Sequence, residues 1–102
     1  MSSPVPVVHN ASLRRFEDQT GDGSSSFLSY TSYGDCVVFE HTFVPDELRG
    51  RGIAAKLARA ALEEARQRRW KVVARCSYVA AFIKRHPEFA ELVDRECRHD
   101  RF

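Results

Sequence analysis

Along Cys36 to Val44 a strand's period of two puts Val37, Phe39, His41 and Phe43 on one face and Val38, Glu40, Thr42 and Val44 on the other. Both faces are largely apolar, which predicts a strand in the middle of a sheet. Upstream, Phe27 to Ser32 reads as its neighbour, joined to it by a turn at Tyr33, Gly34 and Asp35, and Val7 to Phe16 reads as a first strand. GDGSSS, Gly21 to Ser26, has the composition of a turn or loop, and the first six residues, with Pro4 and Pro6, form a loose lead-in. Together these segments predict an antiparallel meander.

Beyond Pro45, which ends the strand by removing a backbone donor, the apolar period changes. From Ile53 to Arg69 it is helical: Ile53, Leu57, Ala60, Ala61 and Ala65 make a core stripe, while Lys56, Arg59, Glu63 and Arg66 face outward. Glu64 and Arg68 have the spacing of a weak surface pair. After Trp70 the β-rich run Lys71 to Arg75 predicts a strand parallel to the one before the helix, because a β-helix-β unit requires a crossover. A second helix, Val79 to Arg85, stops before Pro87. The expected fold is α/β (α+β): a mixed sheet of meander plus crossover, with helices packed on it.

With 102 residues and no internal repeat, the chain reads as one domain with one core. Its 43% hydrophobic and 29% charged residues suit a folded globular protein rather than a disordered one. The apolar runs are too short to span a membrane, and MSSPVPVVHN lacks the pattern of a secretory signal, so a cytoplasmic protein with no membrane partner is expected. Cys36, Cys76 and Cys97 are odd in number and contain no CxxC pair, which predicts three free thiols and no metal site. Basic residues cluster between Arg49 and Arg75, although the net charge is only +2. That favours an anionic ligand over nucleic acid, since aromatics are not interleaved with the cluster. Arg66, Arg68 and Arg69 read simply as solvated cations offsetting a helix dipole. A monomer or weak dimer is expected.

The chemistry concentrates in LRGRGIAAKL, Leu48 to Leu57, where two glycines feed directly into an alanine-rich helix. The first N–H groups of a helix lack partners inside it and lie at the positive end of its dipole, so the junction predicts an anion cradle. Gly50 and Gly52 allow close backbone approach, and Arg49 and Arg51 add positive charge. The GxxxxGK loop of nucleoside triphosphate sites is absent, as are the third glycine and downstream acid of the GxGxxG dinucleotide pattern. Arg49, Gly52 and Ala54 do match the pattern Q/R-x-x-G-x-G/A, here RGRGIA. With HTFVP before it and KVVARCSYVAAFIKRHPEF after its helix, the segment resembles the GNAT superfamily of acyl-CoA-dependent N-acetyltransferases. The resemblance runs from Cys36 to Val93 and is closest to a short single-domain subgroup with a CSYV...HPEF ending.

The resemblance implies acetyl-CoA or coenzyme A as cofactor and transfer of an acetyl group to a primary amine. A small amine, a protein lysine and an N-terminus all remain open as acceptors. It implies that the strand Thr42 to Val44, with Phe43 and Val44, offers backbone groups to the pantetheine arm and acetyl carbonyl, and that the diphosphate lies on Arg49, Gly50, Arg51, Gly52, Ile53 and Ala54. Ser77, Phe82, His86 and Pro87 would pack along the rest of the cofactor, which enters where the Thr42–Val44 and Val72–Cys76 strands splay. For Phe82 a plain core role is the alternative.

A protonated amine with a pKa of about 10.4 needs a base or water chain before it can attack. His41 has the right chemistry for a base or relay near neutral pH, the alternative being a core histidine with a satisfied hydrogen bond; Glu40 is the substitute. Cys76 stands where many relatives carry asparagine. It reads as an acid for the leaving thiolate, as a nucleophile, or as a small buried residue. Ile83 occupies the position where a tyrosine often protonates that thiolate, so Tyr78, Cys76 or His86 must replace it or the thiolate leaves unassisted. The alternative to an enzyme is a non-catalytic acyl-CoA-binding or interaction module.

Overall fold

The strand read as central from its two apolar faces is β4 (Cys36–Phe43), and it receives an antiparallel neighbour on one side and a parallel one on the other. A computed structural model describes residues 7–18 and 26–94. The expectations for the lead-in, for Gly21 to Ser25 and for Cys97 fall outside those residues. In chain order the sheet also holds β1 (Val7–Asn10), β2 (Arg15–Asp18), β3 (Ser26–Tyr33) and β5 (Lys71–Ala74), and strand order equals chain order. Among the five described strands only the β4–β5 junction is parallel, bridged by α1 (Ile53–Arg68), with α2 (Ser77–Arg85) following. This is the mixed sheet that a meander plus crossover predicts.

The single first strand expected from Val7 to Phe16 is instead a hairpin. Asn10 Oδ1 accepts the N–H of Leu13 at 3.1 Å, Arg14 N–H reaches Ala11 O at 3.2 Å, and Arg14 takes a left-handed φ of 55°. A side-chain amide turning its own backbone competes with strand continuation, and here it wins.

One face of the sheet carries the core. Phe16, Leu28, Tyr30, Val37 and Phe39 pack on Ile53, Leu57, Ala58, Ala61, Leu62 and Ala65 of α1 and on Val79, Phe82 and Ile83 of α2. Three alanines and two leucines on one stripe let α1 lie close to the sheet, which side chains of uniformly large volume would prevent. The stripe is displaced from the predicted one: Ala58 and Leu62 are fully buried while Ala60 is only half-buried. The helix meets both sheet and α2, so its buried face is broader than one row. The expectation of three free thiols is also corrected, since Cys36 is disulfide-bonded whereas Cys76 is free and buried.

Candidate functional site

After Phe43 the chain passes through a short 3-10 turn, Asp46–Leu48, and reaches α1 by a loop containing Gly50 and Gly52. Both glycines are left-handed, with φ of 84° and 78°. A Cβ added to either would meet no atom within 4 Å, so glycine is demanded by the backbone conformation while the space before it stays open. Gly52 is the N-cap of α1; no side chain caps the helix and no acidic residue lies in its first turn. Among the described residues none accepts a hydrogen bond from the N–H groups of Ile53, Ala54 or Ala55. Among the described residues, therefore, nothing offsets the positive end of this 16-residue helix. Arg49 Nε donates to Val44 O at 3.3 Å and lies 3.4 Å from Asp46, tying the loop back to the end of β4.

In front of this helix end lies a cleft of about 340 Å³. Thr42 and Val44 wall it on one side, Leu48, Arg49, Gly50 and Gly52 on another, with Ile53, Ala54 and Ala55 of α1 and Tyr78 of α2 closing it. Its size and its mix of apolar walls with a few polar groups fit an extended small-molecule ligand.

The cleft exists because β4 and β5 part company. Their pairing ends at Phe39 opposite Ala74, and the Phe39 carbonyl then accepts both Arg75 N–H at 3.1 Å and Cys76 N–H at 2.9 Å. One carbonyl taking two donors ends the ladder and turns the chain into α2, while β4 runs on to Phe43. At the head of this opening, Thr42 Oγ1 and Cys76 Sγ are 3.3 Å apart, and Cys76 is the N-cap of α2.

A β-bulge decides which side chains face the cleft. Tyr30 pairs with Phe39 but Ser29 pairs with His41, leaving Glu40 as the extra residue. Cross-strand partners share a face, so Thr42, opposite Leu28, joins the core side with Phe39; His41 and Phe43, opposite Ser29 and Phe27, stand on the outer side. The simple alternation that grouped His41 with Phe39 and set Thr42 against it is thereby corrected. His41 is exposed, neither lining the cleft nor held in the core, and Ser29 Oγ reaches its carbonyl at 3.4 Å. Glu40 lies on the same outer side, accepting from Thr31 Oγ1 at 3.0 Å and standing 3.9 Å from Arg75.

The expected cofactor residues divide in the same way. Val44, Arg49, Gly50, Gly52, Ile53 and Ala54 line the cleft; Arg51 and Ser77 are exposed and do not line it, and Phe43 is on the outer face. Phe82 and Ile83 are core residues, which places the usual tyrosine position inside the hydrophobic interior. His86 stacks on Phe82 at 4.2 Å and lies 3.3 Å from Arg59, with Pro87 opening a 3-10 turn; none of Phe82, His86 and Pro87 lines the cleft. Leu48 and Ala55 are cleft residues the sequence did not single out, and Thr42 was expected there only for its backbone. The polar pair Glu40–His41 interrupting an apolar strand was the available signal for a bulge.

A mixed sheet whose β4 and β5 splay beside an uncapped glycine-fed helix defines an acyltransferase-type architecture, and the chain belongs to the GCN5-related N-acetyltransferase family, whose model matches residues 15–92. It is similar to Protein NATD1 of Homo sapiens, 36% identical over 86 residues that cover 82% of this chain and 76% of that one. Protein NATD1 of Danio rerio is 32% identical over 97 residues, covering 91% and 88%. The NMR solution structure of a GCN5-like protein from Staphylococcus aureus superimposes with a TM-score of 0.69 at 22% identity, over 99% of this chain and 100% of that one, a likeness of fold.

Proposed function

We propose that the protein is an acetyl-CoA-dependent N-acetyltransferase acting on a primary amine. The observation that carries the reading is the uncapped N-terminus of α1, which opens through two left-handed glycines onto a cleft that ends at Thr42 and Cys76. The residues present fit such a cofactor: unpartnered N–H groups for a diphosphate, apolar walls at Val44, Leu48 and Ile53 for a pantetheine arm, and space where a Cβ would project. When bound, acetyl-CoA would supply the activated acetyl group, an N–C bond forming to the amine as the C–S bond breaks, with one proton released and another taken up by the departing thiolate.

The chain's own groups divide that work. The loop Arg49–Ala54 holds the diphosphate, chiefly through backbone N–H donors, with Arg51 as a screened charge. We assign Tyr78, whose residue lines the cleft, and Cys76, beside Thr42, as the groups able to give the thiolate a proton in place of the tyrosine that Ile83 replaces. Cys76 as a transient acetyl carrier is the competing role for that thiol. Glu40 and His41, together on the outer face, are assigned to the amine and its proton.

The test is coenzyme A release, measured as free thiol, from acetyl-CoA with a panel of amines. Turnover supports the reading. Binding of coenzyme A without turnover on any amine would leave a non-catalytic acyl-CoA-binding module, a reading that the buried Ile83 favours.

A further inference from the structure

Thr42 lines the cleft and Cys76 does not, yet Thr42 Oγ1 and Cys76 Sγ lie 3.3 Å apart, within hydrogen-bond reach for sulfur. Cys76 is 9% exposed and its thiol is free. Among the described residues the Thr42 hydroxyl is the side-chain hydrogen-bond partner of that thiol. A hydroxyl donates and accepts with equal ease and a thiol does each weakly, so the bond can run in either direction. The half-buried hydroxyl is therefore the polar link between a buried proton source and the cavity.

Both residues are held in place. The Cys76 backbone is tied on two sides, its N–H to Phe39 O at 2.9 Å and its carbonyl to the Ala80 N–H at 3.0 Å. A branched Cβ restricts the Thr42 side chain to few rotamers, and pairing with Leu28 keeps it on the core side of β4. Cys76 is also the N-cap of the nine-residue α2, whose first turn holds no acidic residue and whose cap makes no side-chain hydrogen bond. Negative charge left on Sγ would lie at the positive end of that helix dipole.

We propose that Thr42 is a proton relay, and that Cys76 serves the departing thiolate through it and not by direct contact. Before transfer the thiol donates to Oγ1 and the hydroxyl proton is free to enter the cleft. In transfer the Thr42 O–H bond breaks as its proton goes to the thiolate, while the Cys76 S–H bond breaks and that proton joins Oγ1. Thr42 ends as a hydroxyl donating to the Cys76 sulfur, now a thiolate, and the proton given up by the amine restores the thiol by way of solvent. No acetyl group is carried on Cys76. The inference rests on the transferase reading above and narrows it, since a nucleophilic Cys76 would have to reach a cleft that its side chain does not line.

The experiment compares Thr42→Val, Thr42→Ser, Cys76→Ala and the double variant of Thr42→Val with Cys76→Ala for thiol release and coenzyme A affinity, with melting temperature as the folding control. The expected result is a kcat about tenfold or more lower in Thr42→Val and in Cys76→Ala, no further fall in the double variant, and most of the rate kept in Thr42→Ser, with coenzyme A dissociation constants within a few fold. Alkylation of Cys76 by iodoacetamide at fixed neutral pH, without cofactor and followed by peptide mass, gives a readout independent of turnover. A hydroxyl that donates to a sulfur favours its reactive thiolate form, so Thr42→Val and Thr42→Ala should slow alkylation by about threefold or more while Thr42→Ser stays near the wild type. A side chain that merely shielded the thiol would make the alanine variant the fastest. Full turnover in Thr42→Val, losses that add in the double variant, or an acetylated Cys76 after mixing with acetyl-CoA would overturn the relay. If no amine releases thiol, the transferase reading fails by itself. In that case rescue of alkylation by serine alone still supports the coupling of Thr42 to Cys76, and rates that ignore the hydroxyl overturn that as well.

Discussion

Thr42 Oγ1 and Cys76 Sγ lie 3.3 Å apart although 34 positions separate them in the chain. Two backbone events bring them together. The bulge at Glu40 rotates Thr42 onto the core side of β4, and the double acceptance at Phe39 O turns the chain so that Cys76 caps α2 beside it.

If that thiol takes part in transfer, Cys76→Ala lowers turnover by about tenfold or more while the coenzyme A dissociation constant stays within a few fold, as for a contact made in the transition state. Mass spectrometry after mixing with acetyl-CoA and no acceptor separates the roles, because only a nucleophile leaves an acetylated thiol. Full activity in Cys76→Ala would reduce the residue to packing.

The conformation of Gly52 allows a controlled test of the cradle. Gly34 and Gly52 both have left-handed φ, 65° and 78°, and a Cβ at either meets nothing within 4 Å. Gly34→Ala and Gly52→Ala should therefore destabilise to a similar extent, about 1 kcal/mol of backbone strain. Only Gly52→Ala should also lose the thermal stabilisation by coenzyme A, since only there does the new methyl project toward the ligand. Equal coenzyme A shifts in the two variants would remove the loop from the site. In the same assay Arg51→Ala should weaken binding by about 1 kcal/mol, the scale of a screened surface charge.

Tyr78 and Ile83 make opposite predictions. Tyr78→Phe keeps the ring that contacts Phe82 and removes the hydroxyl, so turnover should fall by about tenfold with the fold intact, if the phenol is the acid. Ile83→Tyr, which restores the residue more usual in the family, should lower stability by about 1–3 kcal/mol instead of raising turnover, because position 83 is 8% exposed and closely packed. Thermal melting and thiol release on the two variants decide between these assignments.

A pH effect on stability is expected far from the cleft. His9 stacks on Phe16 at 4.4 Å, with Nε2 2.6 Å from the Tyr30 hydroxyl and Nδ1 3.7 Å from Glu64. Burial lowers its pKa from the ordinary 6.5, with Glu64 opposing and Arg68 adding to the effect. The folded state thus binds its proton less readily than the unfolded chain. The stability contributed by neutral His9 is complete above 6.5 and is lost as pH falls through the lower folded value. Melting curves from about pH 8 to about pH 5 should show this decline, and His9→Gln should flatten it. An unchanged slope in the variant would assign the decline to other groups.

Period and turn chemistry in the sequence were enough to determine the meander, the crossover helix, its parallel return strand and the glycine-fed helix N-terminus. Each is a local property: alternation makes a half-buried strand, a 3.6 period makes an amphipathic helix, and glycine supplies the left-handed turn. The positions of His41 and Thr42 were not local. Strand alternation is a rule of strict period two, so one extra residue at Glu40 exchanges the faces of everything after it, and its position is visible only in the pairing with Ser29 and Tyr30. The Asn10 turn hid in the same way inside an apparently continuous strand. Arg75 meets Glu40, and Cys76 meets Thr42, only because β5 leaves β4 at Phe39. The sequence therefore determined the elements and the phosphate-facing loop, whereas the tertiary structure decided which side chains share the opening, because register and strand divergence depend on contacts between segments far apart in the chain.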